Sequence, residues 1–91
     1  MHRDEIHWDD LRYLRAALHA RSLAGAARQL RVEHTTIGRR LTALERALGV
    51  ALVVRGTSGL APTAIGADVA PLVDDLERTV GAIRALVDAR R

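Results

Sequence analysis

Cysteine is absent from this sequence. Neither a disulfide nor a thiolate metal site can therefore hold the chain together. Lysine is absent as well, so all 14 basic residues are arginine. Trp8 and Tyr13 are the only aromatic residues. Alanine, leucine and valine must then fill the interior, which favours close helix–helix packing. No apolar run approaches the roughly 18 residues that a membrane span needs. The charged start MHRDEIHWDD does not read as a signal peptide. These absences predict a soluble, cytoplasmic protein.

Catalytic constellations are missing too. His2, His7, His19 and His34 show no metal-ligand spacing, and no HExxH pattern occurs. Ser22 and Ser58 have no base nearby in sequence, and Ser22 reads as a helix cap. Asp74, Asp75 and Glu77 read as a solvated helix face, and His7 and His19 as solvated side chains at helix ends. The two glycines of Gly56-Thr57-Ser58-Gly59 read as a turn and not as a phosphate clamp. The expectation is therefore no enzyme, no metal and no cofactor.

What is present points elsewhere. Ninety-one residues, 48% of them apolar, make one small domain whose core is marginal alone; oligomerisation is a common remedy. The net charge is only +3, but it is unevenly placed. Residues 1–62 hold ten Arg against six acids, and residues 63–91 hold four Arg against five acids.

Residues 1–7 read as a frayed lead-in. A first helix is predicted over residues 9–20, with Asp9 and Asp10 in its first turn, where the helix dipole favours anions. Leu11, Leu14 and Leu18 form its inner stripe, with Tyr13 and Ala17 beside it. Trp8 stands just before it as a staple into the core. Ser22 caps a short second helix over residues 23–30, and Ala24, Ala26 and Ala27 let that helix cross its neighbours closely. Arg31 and Val32 make a turn. A third helix runs over residues 34–48, and Gly49 stops it. Residues 50–55 are short, β-branched and apolar; the turn at residues 56–59 and a return over residues 60–62 complete a hairpin. Thr63 caps a last helix over residues 64–89. In that helix Val69, Val73, Leu76, Val80, Ile83 and Val87 step by 4, 3, 4, 3 and 4, an a/d seam that fits self-association. Pro71 should kink or restart it.

The third helix carries the functional signal. Ile37, Leu41, Leu44 and Leu48 share its buried face. Its exposed start holds His34, Thr35, Thr36, Arg39 and Arg40. Arginine donates bidentately to guanine, and threonine reaches phosphate or a thymine methyl. Thr35 and Arg39 share one face and Thr36 and Arg40 the next. One arginine is expected on base edges and the other on a flanking phosphate. The competing reading of the Arg39–Arg40 pair is a solvated face shared with Glu45 and Arg46.

Three stretches carry a family resemblance: WDDLRYLRAALHARSLAGAARQL, VEHTTIGRRLTALERALGVALVVR and LAPTAIG. They resemble the N-terminal winged helix-turn-helix domain of LysR-type transcriptional regulators over roughly residues 8–86. Ser22-Leu23, Ala26-Ala27, Val32, Arg39, Leu44-Glu45, Leu48-Gly49, Leu52, Arg55, Thr63 and Gly66 fall in register with the family pattern. The departures are Glu33 and Gly38, each where serine is usual, Val53 for the usual phenylalanine, and Pro62 for leucine. No arginine stands at the wing tip, where Thr57 and Ser58 sit; Arg55 remains at its base. The resemblance implies a regulator that dimerises through the linker helix and binds an interrupted inverted repeat. The family's larger effector-binding domain is not within these residues, so no effector ligand is expected on this segment.

The predicted fold is mainly α: a winged helix-turn-helix of three helices and a short β-hairpin wing (residues 1–62), then a long dimerisation or linker helix (residues 63–91). The predicted function is sequence-specific binding of double-stranded DNA as a homodimer, with transcriptional regulation. His34, Thr35, Thr36, Arg39, Arg40, Arg55, Thr57 and Ser58 are the expected DNA contacts. A winged-helix protein-interaction module, or a heterodimerising modulator of a full-length regulator, is the alternative.

Overall fold

The computed structural model describes residues 6–91. All but the last two residues of the expected lead-in, and His2 with it, lie outside the described residues. The elements are α1 (Trp8–Ala20), α2 (Leu23–Leu30), α3 (His34–Leu48), β1 (Val53–Gly56), β2 (Gly59–Pro62) and α4 (Ala64–Ala89). This is a winged helix-turn-helix followed by a long helix. α1 is the central element, touching α2, α3, β2 and α4. Leu14, Ala17, Ala26, Ile37, Leu41, Leu44 and Leu52 are the heart of the core.

Local chemistry explains most boundaries. Ser22 caps α2 by accepting the Gly25 N–H at 2.9 Å. A Cβ on Gly25 would stand only 2.8 Å from that hydroxyl, so glycine permits the tight entry. Gly49, at φ 75°, ends α3 with its N–H on the Glu45 carbonyl. The ends of α1 and α2 needed no glycine: Arg21 and Arg31 take the left-handed conformation, at φ 57° and 58°. The Arg21 carbonyl accepts the Leu60 N–H at 3.0 Å. That bond ties the wing to the turn between α1 and α2.

Several expectations need correcting. Trp8 is the first residue of α1 and not a staple ahead of it. Half-buried, it shares a cleft with Arg12 and with Val80 and Gly81 of α4. β1 starts at Val53, three residues late. The reason is Glu45. Its Oε2 accepts the N–H groups of Leu52 and Val53 at 2.7 and 3.2 Å. Thr63 holds the same segment from the other side, its hydroxyl donating to the Ala51 carbonyl at 2.8 Å and its N–H to the Leu52 carbonyl at 3.0 Å. The chain before β1 is thus bonded away from the ladder. β1 and β2 pair antiparallel, with Arg55 opposite Leu60 and Thr57-Ser58 as the loop.

α4 docks against this segment. A Cβ on Gly66 would stand 2.0 Å from the Leu52 carbonyl oxygen, so only glycine allows the approach. That contact sets the rotation of the helix. Val69 and Val73, three and seven residues on, then face the chain's own core, and Val73 is 2% exposed. The expected seam is therefore divided. Its first two valines are used within the chain, while Ile65, Leu72, Leu76, Ile83, Leu86 and Val87 form the exposed apolar stripe. The helix runs through Pro71 without interruption. Pro71 and the Ala67 whose carbonyl loses its partner are both exposed, so that carbonyl is open to solvent and is not left buried without a donor. Asp74, expected on a solvated face, instead accepts from Arg15 Nε at 2.8 Å and pairs with His19 Nε2 at 2.9 Å. His19 is accordingly not a free helix-end side chain.

Candidate nucleic-acid interface

α3 presents its outer face beside the wing. Residues 35, 39, 42 and 46 succeed one another at helical spacing on that face. Between it, the start of α2 and the wing lies an open groove of about 520 Å³. His34, Arg39, Arg46 and Arg55 supply its cationic and titratable groups, Thr35 and Thr42 its hydroxyls, and Leu23, Gly38 and Ala43 its floor. None of Arg39, Arg46 and Arg55 makes an ion pair among the described residues. Three uncompensated guanidiniums therefore line one concave surface.

The wing contributes through its register. Arg55 pairs with Leu60 across the hairpin, so the two side chains share a face. Leu60 is 5% exposed and belongs to the core, so that face is the one turned toward the helices. Gly38 matters here. Arg55 Nη1 lies 3.9 Å from where a Cβ of residue 38 would stand. The missing side chain at residue 38 leaves the Arg55 guanidinium an open approach to α3. Thr57 and Ser58 are exposed at the wing tip, and they bring no charge there.

The start of α3 is not covered by its own chain. Glu33 occupies the N-cap position, but its side chain makes no capping bond. The Thr36 N–H bonds the Glu33 carbonyl at 3.0 Å. The first helical N–H groups, at His34 and Thr35, have no partner within a helix, and both residues are exposed. Thr36 is half-buried on the neighbouring face.

Arg40 does not join this groove. Its Nε donates to Asp10 Oδ1 of α1 at 2.6 Å. The Asp10 side chain is 4% exposed and that of Arg40 is 40% exposed. Asp10 stands in the first turn of α1, as expected, and is also a buried counterion for α3. The structure separates the two neighbouring arginines: Arg39 faces the groove and Arg40 is paired behind it. Conversely, Arg46 and Thr42 lie in the groove although the sequence pattern did not single them out. The signal was available: both sit on the Thr35–Arg39 face, at i+7 and i+11 from Thr35.

Among the described residues no cluster of His, Asp or Glu is placed to hold a metal ion, and no helix is long and apolar enough to cross a membrane.

Comparison with known proteins agrees with this geometry. The profile of the bacterial regulatory helix-turn-helix proteins of the lysR family matches residues 8–67. The small neutral protease regulatory protein of Streptomyces coelicolor is 39% identical over 85 residues, covering 89% of this chain and 26% of its own length. The Mau operon transcriptional activator of Paracoccus denitrificans is 49% identical over 47 residues, covering 52% of this chain and 17% of its own length. The chain thus spans about a quarter or less of these relatives. Among solved structures, the CbnR_DBD–DNA complex superposes with a TM-score of 0.83 at 29% identity, over 93% of this chain and 98% of that one. With the family profile covering most of the chain, and the helices, wing and long helix in the matching order, this protein belongs to the lysR family of bacterial regulatory helix-turn-helix proteins.

Proposed function

We propose that the chain reads double-stranded DNA as a homodimer and thereby regulates transcription. The observation that carries this reading is the groove beside α3, where Arg39, Arg46 and Arg55 stand uncompensated next to His34, Thr35 and Thr42. Family membership adds DNA binding as the expected work of such a domain.

The roles follow from position. α3 enters the major groove, where an α-helix fits and base edges are distinguishable. Arg39, one turn in, reaches base edges. Thr35 and His34, with their unpartnered N–H groups, meet phosphate at the helix start, where the dipole favours an anion. Thr36 flanks them. Arg46 and Arg55 take phosphates on either side, and Thr57 and Ser58 graze the backbone or minor groove. Residues 1–62 supply this reading head and residues 63–91 the dimerisation helix. The exposed stripe from Ile65 to Val87 is the surface that a second copy covers, and the resulting spacing of the two heads selects an interrupted inverted repeat. Such a protein works in the cytoplasm, on the nucleoid. The role needs neither catalysis nor a cofactor.

The test is fluorescence anisotropy with a duplex bearing an interrupted inverted repeat and a scrambled duplex, over a salt series. The expected result is preference for the repeat and a steep loss of affinity with salt, because each neutralised phosphate contributes a slope of about −0.9. No binding at low salt would reject the reading and favour a protein-interaction module instead. The uncharged wing tip and the Glu33 carboxylate at the start of α3 are the features that would suit that alternative.

A further inference from the structure

The Asp10–Arg40 pair stands apart from the groove and raises a different question. Asp10 is 3% exposed, and the Arg40 Nε–H is the one side-chain partner it has among the described residues. Arg40 stays charged, held so first by that hydrogen bond and then by the attraction of the carboxylate. Tyr13 and Asp9, also on α1, add to the same attraction. A cation and an anion at 2.6 Å largely cancel one another beyond their own dimensions. To an approaching phosphate the pair is a dipole and not a charge.

Resting on the reading of α3 as a DNA-reading helix, we propose that Asp10 is a positioning residue that withdraws Arg40 from the phosphate contacts and so restrains sequence-independent affinity. One observation and two physical arguments support it. Arg40 lies about 100° around the helix from Arg39, and its Nε–H is held by Asp10 of α1. A buried carboxylate stripped of its partner is left desolvated and uncompensated, which is strongly unfavourable. A solvated DNA phosphate offers Arg40 no return for that loss. Non-specific binding is supplied essentially by phosphate electrostatics, whereas base edges carry the sequence information. Removing one cation from the phosphate contacts lowers affinity for the many competing genomic sites and leaves Arg39 to discriminate.

The test uses the full chain and a fluorescein-labelled random-sequence duplex, with log affinity measured against log salt. Asp10→Asn frees Arg40 and is expected to bind more tightly at low salt, with a slope steeper by about 0.9. The double variant Asp10→Asn/Arg40→Gln removes both charges together and is expected to keep the parent slope. It also decides the matter should Asp10→Asn alone fail to fold. A slope for Asp10→Asn equal to or shallower than the parent's overturns the proposal, even where its melting temperature falls. A double variant shallower by about 0.9 overturns it too, since Arg40 would then touch phosphate in the parent. If the parent itself binds no duplex, this proposal falls together with the DNA reading. If the parent binds with a steep slope that neither variant moves, the positioning role alone falls.

Discussion

Glu45→Ala tests the least expected bond in the structure. The Glu45 carboxylate receives two backbone N–H groups, Leu52 at 2.7 Å and Val53 at 3.2 Å. A hydrogen bond to a charged group contributes about 1.5–3 kcal/mol. The second bond is the longer one, and Glu45 is half-buried, so water recovers part of the loss. Thr63 still holds the carbonyls of Ala51 and Leu52, so the segment keeps its place and only the bonds are lost. The expected cost is about 2–4 kcal/mol. A domain of this length has a total stability of about 5–13 kcal/mol, and each kcal/mol moves the midpoint by roughly 4–8 °C. Thermal melts followed by circular dichroism should therefore show a fall of roughly 8–32 °C, measured at equal protein concentration because dimerisation raises apparent stability. Glu45→Gln keeps one acceptor oxygen and should recover part of the loss. Amide hydrogen exchange should quicken at Leu52 and Val53 before it does so in α1. A Glu45→Ala protein that melts with the parent, and protects those two amides equally, would refute the assignment of Glu45 as the clamp on the wing base.

Three further outcomes follow from the same structure. Arg39→Ala should weaken binding of an inverted-repeat duplex by about 1–3 kcal/mol and relax base preference; equal affinity and equal preference would remove Arg39 from the base edges. Ile83→Asp, on the exposed stripe of α4 and far from the head's core, should yield a monomer in sedimentation at concentrations where the parent is dimeric; a persisting dimer would place the interface elsewhere. Asp74 is held below its ordinary value of 3.8, first by its hydrogen bond with His19 and then by that from Arg15, while burial opposes them. A depressed carboxylate contributes stability that is present above its unfolded value and lost as pH falls through the folded one. Parent stability should therefore drop in acid below about pH 3.8 more steeply than that of Asp74→Asn. Superimposable acid limbs in denaturant titrations would argue that the clamp between α1 and α4 carries no linkage.

The helices were legible from the chain alone. α2, α3 and α4 begin and end where Ser22, Gly49, Thr63 and the apolar steps place them. The buried face of α3 was read correctly from its 4, 3, 4 spacing, because that period reports only which side is covered. The wing was legible as a hairpin, but its start was not. Residues 50–52 have β-branched and apolar character, yet Glu45 and Thr63 take their backbone groups before β2 can. The α4 stripe was legible as apolar, but the sequence cannot say which part is used inside the chain. The approach of Gly66 to the Leu52 carbonyl decides that, by setting the helix rotation.

Helix positions, their stops and the composition of the α3 face depend on interactions within one or two turns, so local pattern is enough to specify them. The state of the charged side chains depended on the tertiary structure. Arg40 meets a carboxylate 30 residues away, and Asp74 meets Arg15 and His19 across 59 and 55 residues. Such partners are brought together by the packing of α1 against α3 and α4, and no local pattern encodes it. Of two adjacent arginines on one helix, packing neutralised one against α1 and left the other facing the groove.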